Sequence, residues 1–268
     1  KGTRTKATVT EGGNGKVSTT VNGDRAYNAR TTRRSVELLL AGENPKQGEI
    51  RLDQLVETPI GGGFGASAAG AVSAVYAVAA ATNIKATKSE LALFAHRAEI
   101  IESTGLGTVS VIYDSTGAGA ITVPGKPGVA KFITVDVPRE TRIVTGYLAP
   151  FDKKDALSSK AVSEKINSLG RKALKTFLAD PTLDTLAREG ERFSRNLGLE
   201  SPEVKKMIEV AKSSGAKHAS QNMIGYSVHA IVDRDASGRV AKSLTDLSRA
   251  IRVDTFEVGD RKAGLVRS

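Results

Sequence analysis

A chain of 268 residues, 40% hydrophobic and 25% charged, is long enough to bury a sizeable core as one large domain or two coupled ones. It has no cysteine, which excludes disulfides and thiolate zinc sites and fits a reducing cytoplasm. The net charge of +10 comes from 39 Lys and Arg scattered among 29 acids, and aromatics are only 4% with no Trp. This disfavours a nucleic-acid stacking platform and leaves a solvated surface suited to anionic substrates.

In chain order, residues 3–10 and 15–22 read as two strands joined by a Gly-Gly-Asn-Gly turn, with Thr and Val alternating. The chain opens at Lys1 inside the first of these, so residues before it are expected; no signal peptide is visible. Residues 30–41 read as an amphipathic helix with Val36, Leu39 and Leu40 inward, ended by Gly42 and Pro45. Residues 48–57 alternate apolar and polar, the period of a half-buried strand. Residues 66–81 are almost all Ala and Val, which fits a buried helix better than a membrane span. A second helix spans 88–102, with Thr87 as N-cap and Glu90 completing a capping box. Residues 108–114 fit a strand or a short helix equally. Strands follow at 118–124, 131–137 and 141–148.

From Asp152 to Ser214 the pattern is helical, with breaks expected at Gly170, Asp180-Pro181 and Ser201-Pro202. Residues 215–225 read as a small-residue loop, and strands at 226–233 and 251–258 flank a helix near 241–250. The junction between the two halves is expected at 139–150, which divides the chain into 1–138 and 139–268.

One stretch organises the rest. Residues 59–69, Pro-Ile-Gly-Gly-Gly-Phe-Gly-Ala-Ser-Ala-Ala, place four glycines between a strand and a helix N-terminus. Glycine lets the backbone take positive φ and approach a ligand closely. The first helical turn adds unpaired N–H groups and partial positive charge, so the pair makes a phosphate site. The plain alternative is a tight turn with close helix packing. A Walker A loop is excluded because no Lys follows the glycines, and the dinucleotide fingerprint lacks its acidic residue near 82–85.

The stretch Pro-x-x-x-Gly-Phe-Gly-Ala-Ser-Ala-Ala resembles the phosphate loop of the GHMP kinases, the superfamily of galactokinase, homoserine kinase and mevalonate kinase. Further likeness lies in Thr32-Arg33-Arg34, in Ala95-His96-Arg97-Ala98-Glu99 and in Thr104-Gly105-Leu106-Gly107, and is strongest to archaeal members that act on pantoate. The resemblance implies an α+β fold of two α/β halves with a nucleotide groove between them. It implies ATP and Mg2+ as cofactors and phosphorylation of the 4-hydroxyl of pantoate, in the archaeal route to coenzyme A. It also implies a cytoplasmic enzyme, often a homodimer, with no nucleic-acid or membrane partner.

Residue by residue, the loop carries over as a phosphate cradle at Pro59, Gly61, Gly62, Gly63, Phe64, Gly65, Ala66, Ser67 and Ala68. Ser67 and Glu99 match the family's magnesium-side residues. Thr108 stands where many members carry an aspartate, and threonine is no general base at neutral pH. Ser67 and Thr108 are the catalytic candidates. An acceptor carboxylate calls for a cation, and Arg33, His96 and Lys217 are the candidates. Each also has an ordinary reading, as a surface charge for Arg33, a packing histidine for His96 and part of a structural turn for Lys217. His218 and His229 have no metal-spaced partner, so no zinc site is expected. Kinases of the homoserine, shikimate or mevalonate type, a non-catalytic nucleotide binder and a basic RNA-binding module are the rival readings.

Overall fold

A computed structural model of the protein describes residues 2–10, 16–41, 48–105, 107–150, 160–223, 225–260 and 262–266. The first sheet holds β1 (Thr3–Val9), β2 (Val17–Val21) and β3 (Ile50–Val56) in the order β1-β3-β2. β3 is antiparallel to β1 and parallel to β2. The two N-terminal strands therefore do not pair as a hairpin. The expected Gly-Gly-Asn-Gly turn lies outside the described residues, as do Gly42 and Pro45. β3 takes the central place because its apolar residues alternate so cleanly: Ile50, Leu52 and Val56 are buried while Arg51 and Leu55 are exposed.

This sheet packs on α1 (Arg30–Leu40) and α2 (Ala66–Ala81), and α3 (Lys88–Ile101) packs against both helices. α2 is apolar on every side and is the middle of the core, with Ala68, Val72, Val75 and Val78 buried. The small side chains let neighbours close in, and a Cβ on Gly70 would lie 3.0 Å from Thr32 Oγ1. Gln54 satisfies the polar atoms at that crossing. Its amide donates to Thr5 Oγ1 and the Gly70 carbonyl, and its carbonyl accepts from Thr32. α3 starts as expected: Thr87 and Glu90 form a reciprocal capping box.

Residues 108–114 resolve as a helix, α4 (Thr108–Asp114), followed by the hairpin β4 (Ala118–Val123) and β5 (Lys131–Val135). β6 (Thr141–Ala149) lies within the stretch expected as a junction and is an inner strand of the second sheet, whose order is β7-β8-β6-β9. α5 (Lys160–Ala179) runs straight through Gly170, so the expected break there is corrected. One glycine costs a helix about 1 kcal/mol and does not end it without help from a proline or a cap. Breaks do fall at 180–181 and 201–202, around α6 (Leu183–Leu197) and α7 (Pro202–Ser213).

The expected loop 215–225 contains a four-residue strand, β7 (His218–Gln221), paired with β8 (Tyr226–Asp233). The last helix, α8 (Arg234–Leu247), starts earlier than expected and leads to β9 (Arg252–Phe256). One face of this sheet buries Val144, Val228, Ala230 and Val232 against Val204, Met207, Val240 and Leu244 of α7 and α8. The opposite face meets the glycine stretch, the β4–β5 hairpin and α6.

Candidate functional site

The glycine stretch packs against the second sheet. Gly61, Gly63 and Gly65 have φ of 80°, 79° and 72°, the left-handed region that favours glycine. Gly62 is needed for a different reason: a Cβ there would sit 2.6 Å from the Phe64 ring and 2.8 Å from the Tyr147 ring. Gly65 is the N-cap of α2, and no side chain caps that terminus. Its first-turn N–H groups therefore lack a side-chain partner and carry the partial positive charge of a helix start, beside the exposed Ser67.

Three side chains from β6, β8 and the turn before β8 hold this loop from behind. Tyr147 of β6 donates its hydroxyl to the Ile60 carbonyl at 3.0 Å. Asn222 and Ser227 both donate to the Gly62 carbonyl, at 2.7 and 2.5 Å. Burial raises the Tyr147 pKa, so its hydroxyl keeps its proton. Nearby, Arg252 of β9 donates to the Glu57 carbonyl at 2.6 Å and pairs with Asp254 at 2.9 Å, tying the end of β3 to β9. The Ile60 and Gly62 carbonyls are thus held from behind.

The second glycine turn meets the first from the side. Glu99 of α3 is 1% exposed. Its Oε2 accepts the Val109 N–H at 3.2 Å, near the start of α4, where a negative charge suits the helix terminus. Its Oε1 lies so close to Gly105 that a Cβ there would approach it to 2.5 Å. The same Cβ would be 3.4 Å from Thr108 Oγ1, and a Cβ on Gly65 would be 3.1 Å from Thr108 Cγ2. Gly65, Glu99, Gly105 and Thr108 therefore converge at one place. Thr31 of α1 and Thr104 share a hydrogen bond of 3.1 Å, which fixes α1 against this turn.

The other candidates are spread out. Arg33 is exposed in the first turn of α1 and donates to Asn28. His96 lies one turn before Glu99 on α3, 8% exposed, with its Nδ1 unpartnered, and burial lowers its pKa. Lys217 pairs with Asp233 at 2.6 Å, at the end of the β7–β8 ladder remote from Asn222, so it is not brought to the loop. Among the described residues no group of three His, Cys, Asp or Glu is placed to hold a metal.

Sequence reasoning missed Tyr147 and Ser227. Their partners lie 87 and 165 residues away, and no local pattern encodes such a pairing. The one available signal was that Ser227 and His229 put two polar residues on one side of a strand whose other side, Val228, Ala230 and Val232, is apolar.

Residues 30–113 match the family of the GHMP kinases N terminal domain. Pantoate kinase of Thermococcus kodakarensis is 27% identical over 203 residues, covering 75% of this chain and 65% of the relative. Pantoate kinase of Methanospirillum hungatei is 28% identical over 188 residues, covering 68% and 60%. The chain thus spans less than two thirds of the length of either relative. A solved structure described as a phosphotransferase related to the CoA biosynthesis pathway superposes with a TM-score of 0.84 over 98% of this chain and 85% of that one, at 24% identity. The fold is shared along nearly the whole chain. Among the described residues no helix is long and apolar enough to cross a membrane.

Proposed function

We propose that the chain is an ATP-dependent kinase that phosphorylates the 4-hydroxyl of pantoate to give 4-phosphopantoate, a step toward coenzyme A. The observation that carries this is the phosphate loop: an uncapped helix N-terminus with three positive-φ glycines, its carbonyls held from behind by Asn222, Ser227 and Tyr147. Such a cradle suits the β- and γ-phosphates of ATP. The names of the relatives supply the acceptor.

In this reading the cradle is residues 59–68, and the chain divides into halves of 1–138 and 139–268. A magnesium ion needs only one or two protein oxygens when phosphates and water complete its shell. The buried Glu99 carboxylate, turned toward Gly105 and Thr108, and the Ser67 hydroxyl fit that modest demand. The ion would neutralise charge on the phosphates. The acceptor oxygen forms a bond to the γ-phosphorus while the bond to the ADP oxygen breaks, and the hydroxyl proton is released. Thr108 has no usable basicity, so its part is to hydrogen-bond near the reacting oxygen. Positioning carries a loose phosphoryl transfer. Arg33 and His96 are the candidates for the acceptor side. A cytoplasmic homodimer completes the reading.

The test is ADP release with ATP, magnesium and a panel of pantoate, homoserine, shikimate and mevalonate, beside the Ser67→Ala variant. Turnover with pantoate alone, lost in the variant, is expected. Turnover only with another acceptor would reassign the substrate. Thr108 favours one second reading, a nucleotide binder without chemistry, which tight ATP binding with no turnover would support.

A further inference from the structure

A cavity of about 510 Å³ lies between the halves, beside the second glycine turn. Its walls are α4, the β4–β5 hairpin, α6 and the face of the second sheet not covered by α7 and α8. Two contacts join it to the site. Val111, one turn along α4 from Thr108, lines it. Ile121, also in its wall, reaches the turn itself: a Cβ on Gly107 would lie 2.9 Å from Ile121 Cδ1. On the sheet, His229 lines the cavity two residues from Ser227, and so shares its side of β8.

The chemistry of this wall is narrow. Among the described residues it contains no Lys, Arg, Asp or Glu. Small residues of the hairpin and aliphatic residues of α6 and β6 make up most of it. His229 is its one titratable side chain. The Nδ1 of that ring is buried with no hydrogen-bond partner, which leaves Nε2 as the nitrogen a ligand can meet. Burial also lowers the His229 pKa, against a smaller opposing pull from Glu191, so the ring is neutral. A charged group inside would go unpaired, whereas a branched aliphatic body with one hydroxyl would be matched.

We propose that this cavity holds the carbon skeleton of the phosphoryl acceptor and selects a compact, branched aliphatic alcohol. One uncharged hydrogen bond reaches His229 Nε2, and any carboxylate of the acceptor stays outside. The proposal rests on the kinase reading above and adds the residues that choose the substrate. Burying two methyl groups there favours a dimethyl-substituted acceptor over its unbranched analogue by about tenfold in affinity.

The experiment fills the cavity from α6. Ala187→Phe projects into it, and Gly190→Leu narrows it at an exposed edge where a Cβ meets nothing within 4 Å. Thermal melts check that both variants fold. The readouts are ADP release with pantoate, ATP affinity, and ligand-observed NMR with pantoate and 2,2-dimethylpropane-1,3-diol, which keeps the branched body and lacks the carboxylate. Expected are an acceptor KM raised about tenfold or more in a folded variant, ATP affinity within about twofold, and diol binding by the wild type alone. His229→Leu should raise the acceptor KM about fivefold, with partial rescue by His229→Gln. If the wild type turns over and the folded variants keep its KM, the cavity proposal falls and the kinase reading stands. Acceptor binding lost in the variants, without turnover in the wild type, leaves the cavity standing and removes the kinase reading. Neither binding nor turnover in the wild type overturns both.

Discussion

The proposed phosphate loop and the proposed acceptor side meet at Gly65 and Thr108, yet they are built by opposite means. The loop is made of backbone: glycines at positive φ, a helix terminus and carbonyls locked by distant hydroxyl and amide donors. The proposed acceptor side is made of side chains: a buried Glu99, a neutral Thr108 and an apolar cavity beyond. A backbone site suits any phosphate of the right shape, because N–H groups belong to every residue. A side-chain site distinguishes one acceptor from another. Changes in the loop should therefore damage catalysis with every acceptor, and changes beyond Thr108 should alter preference between acceptors.

The largest effect is expected for Gly62→Ala. Its new methyl group would meet the Phe64 and Tyr147 rings at 2.6 and 2.8 Å, displacing the loop. Turnover should fall by about 100-fold with every acceptor, because a shift of roughly 1 Å at a phosphate cradle is enough for that. Steady-state ADP release checks it. A fall for one acceptor and not another would break the comparison.

Glu99→Gln comes next. Glutamine keeps an acceptor for the Val109 N–H and removes only the charge. The magnesium concentration for half-maximal rate should rise by about tenfold or more while the melting temperature moves little. An unchanged magnesium titration with a large fall in melting temperature would make Glu99 a structural anchor of α4 instead.

Ser227→Ala removes one of the two side-chain donors to the Gly62 carbonyl and leaves Asn222 in place. A loss of about 1 kcal/mol, or roughly 2–4 °C in melting temperature, is expected, with a weaker ATP affinity and no change in acceptor preference.

The smallest effect concerns pH. The pKa values of His96 and His229 lie below that of an unfolded histidine, chiefly through burial. The unfolded chain then binds more protons as pH falls below about 6.5, so stability declines there and is flat above. The slope is at most about 1.4 kcal/mol per pH unit for each group. Melting temperatures at neutral and mildly acidic pH check this, and His229→Leu should flatten the decline.

The same division explains what could be read from the sequence. The loop was legible because its requirements are local: four glycines, a strand before and an Ala-rich helix after. The limits of α2 and the capping box at Thr87 and Glu90 followed from local pattern as well. Features set by distant partners were not legible. β3 inserts between β1 and β2 because its buried residues are shared by both neighbours, and no turn signal announces that. β7 is four residues long and becomes a strand only by pairing with β8. Tyr147 and Ser227 gain their roles from a loop in the other half. Lys217 looked available for an anion, but Asp233 meets it across the ladder.

The central claim is phosphoryl transfer to the acceptor hydroxyl, and phosphorus NMR of the reaction mixture tests it most directly. With ATP, magnesium and pantoate, the wild type should give a phosphate monoester signal coupled to the methylene protons of C4, growing about 100-fold more slowly with Gly62→Ala. ATP binding with no monoester signal from pantoate or any other acceptor would contradict the claim.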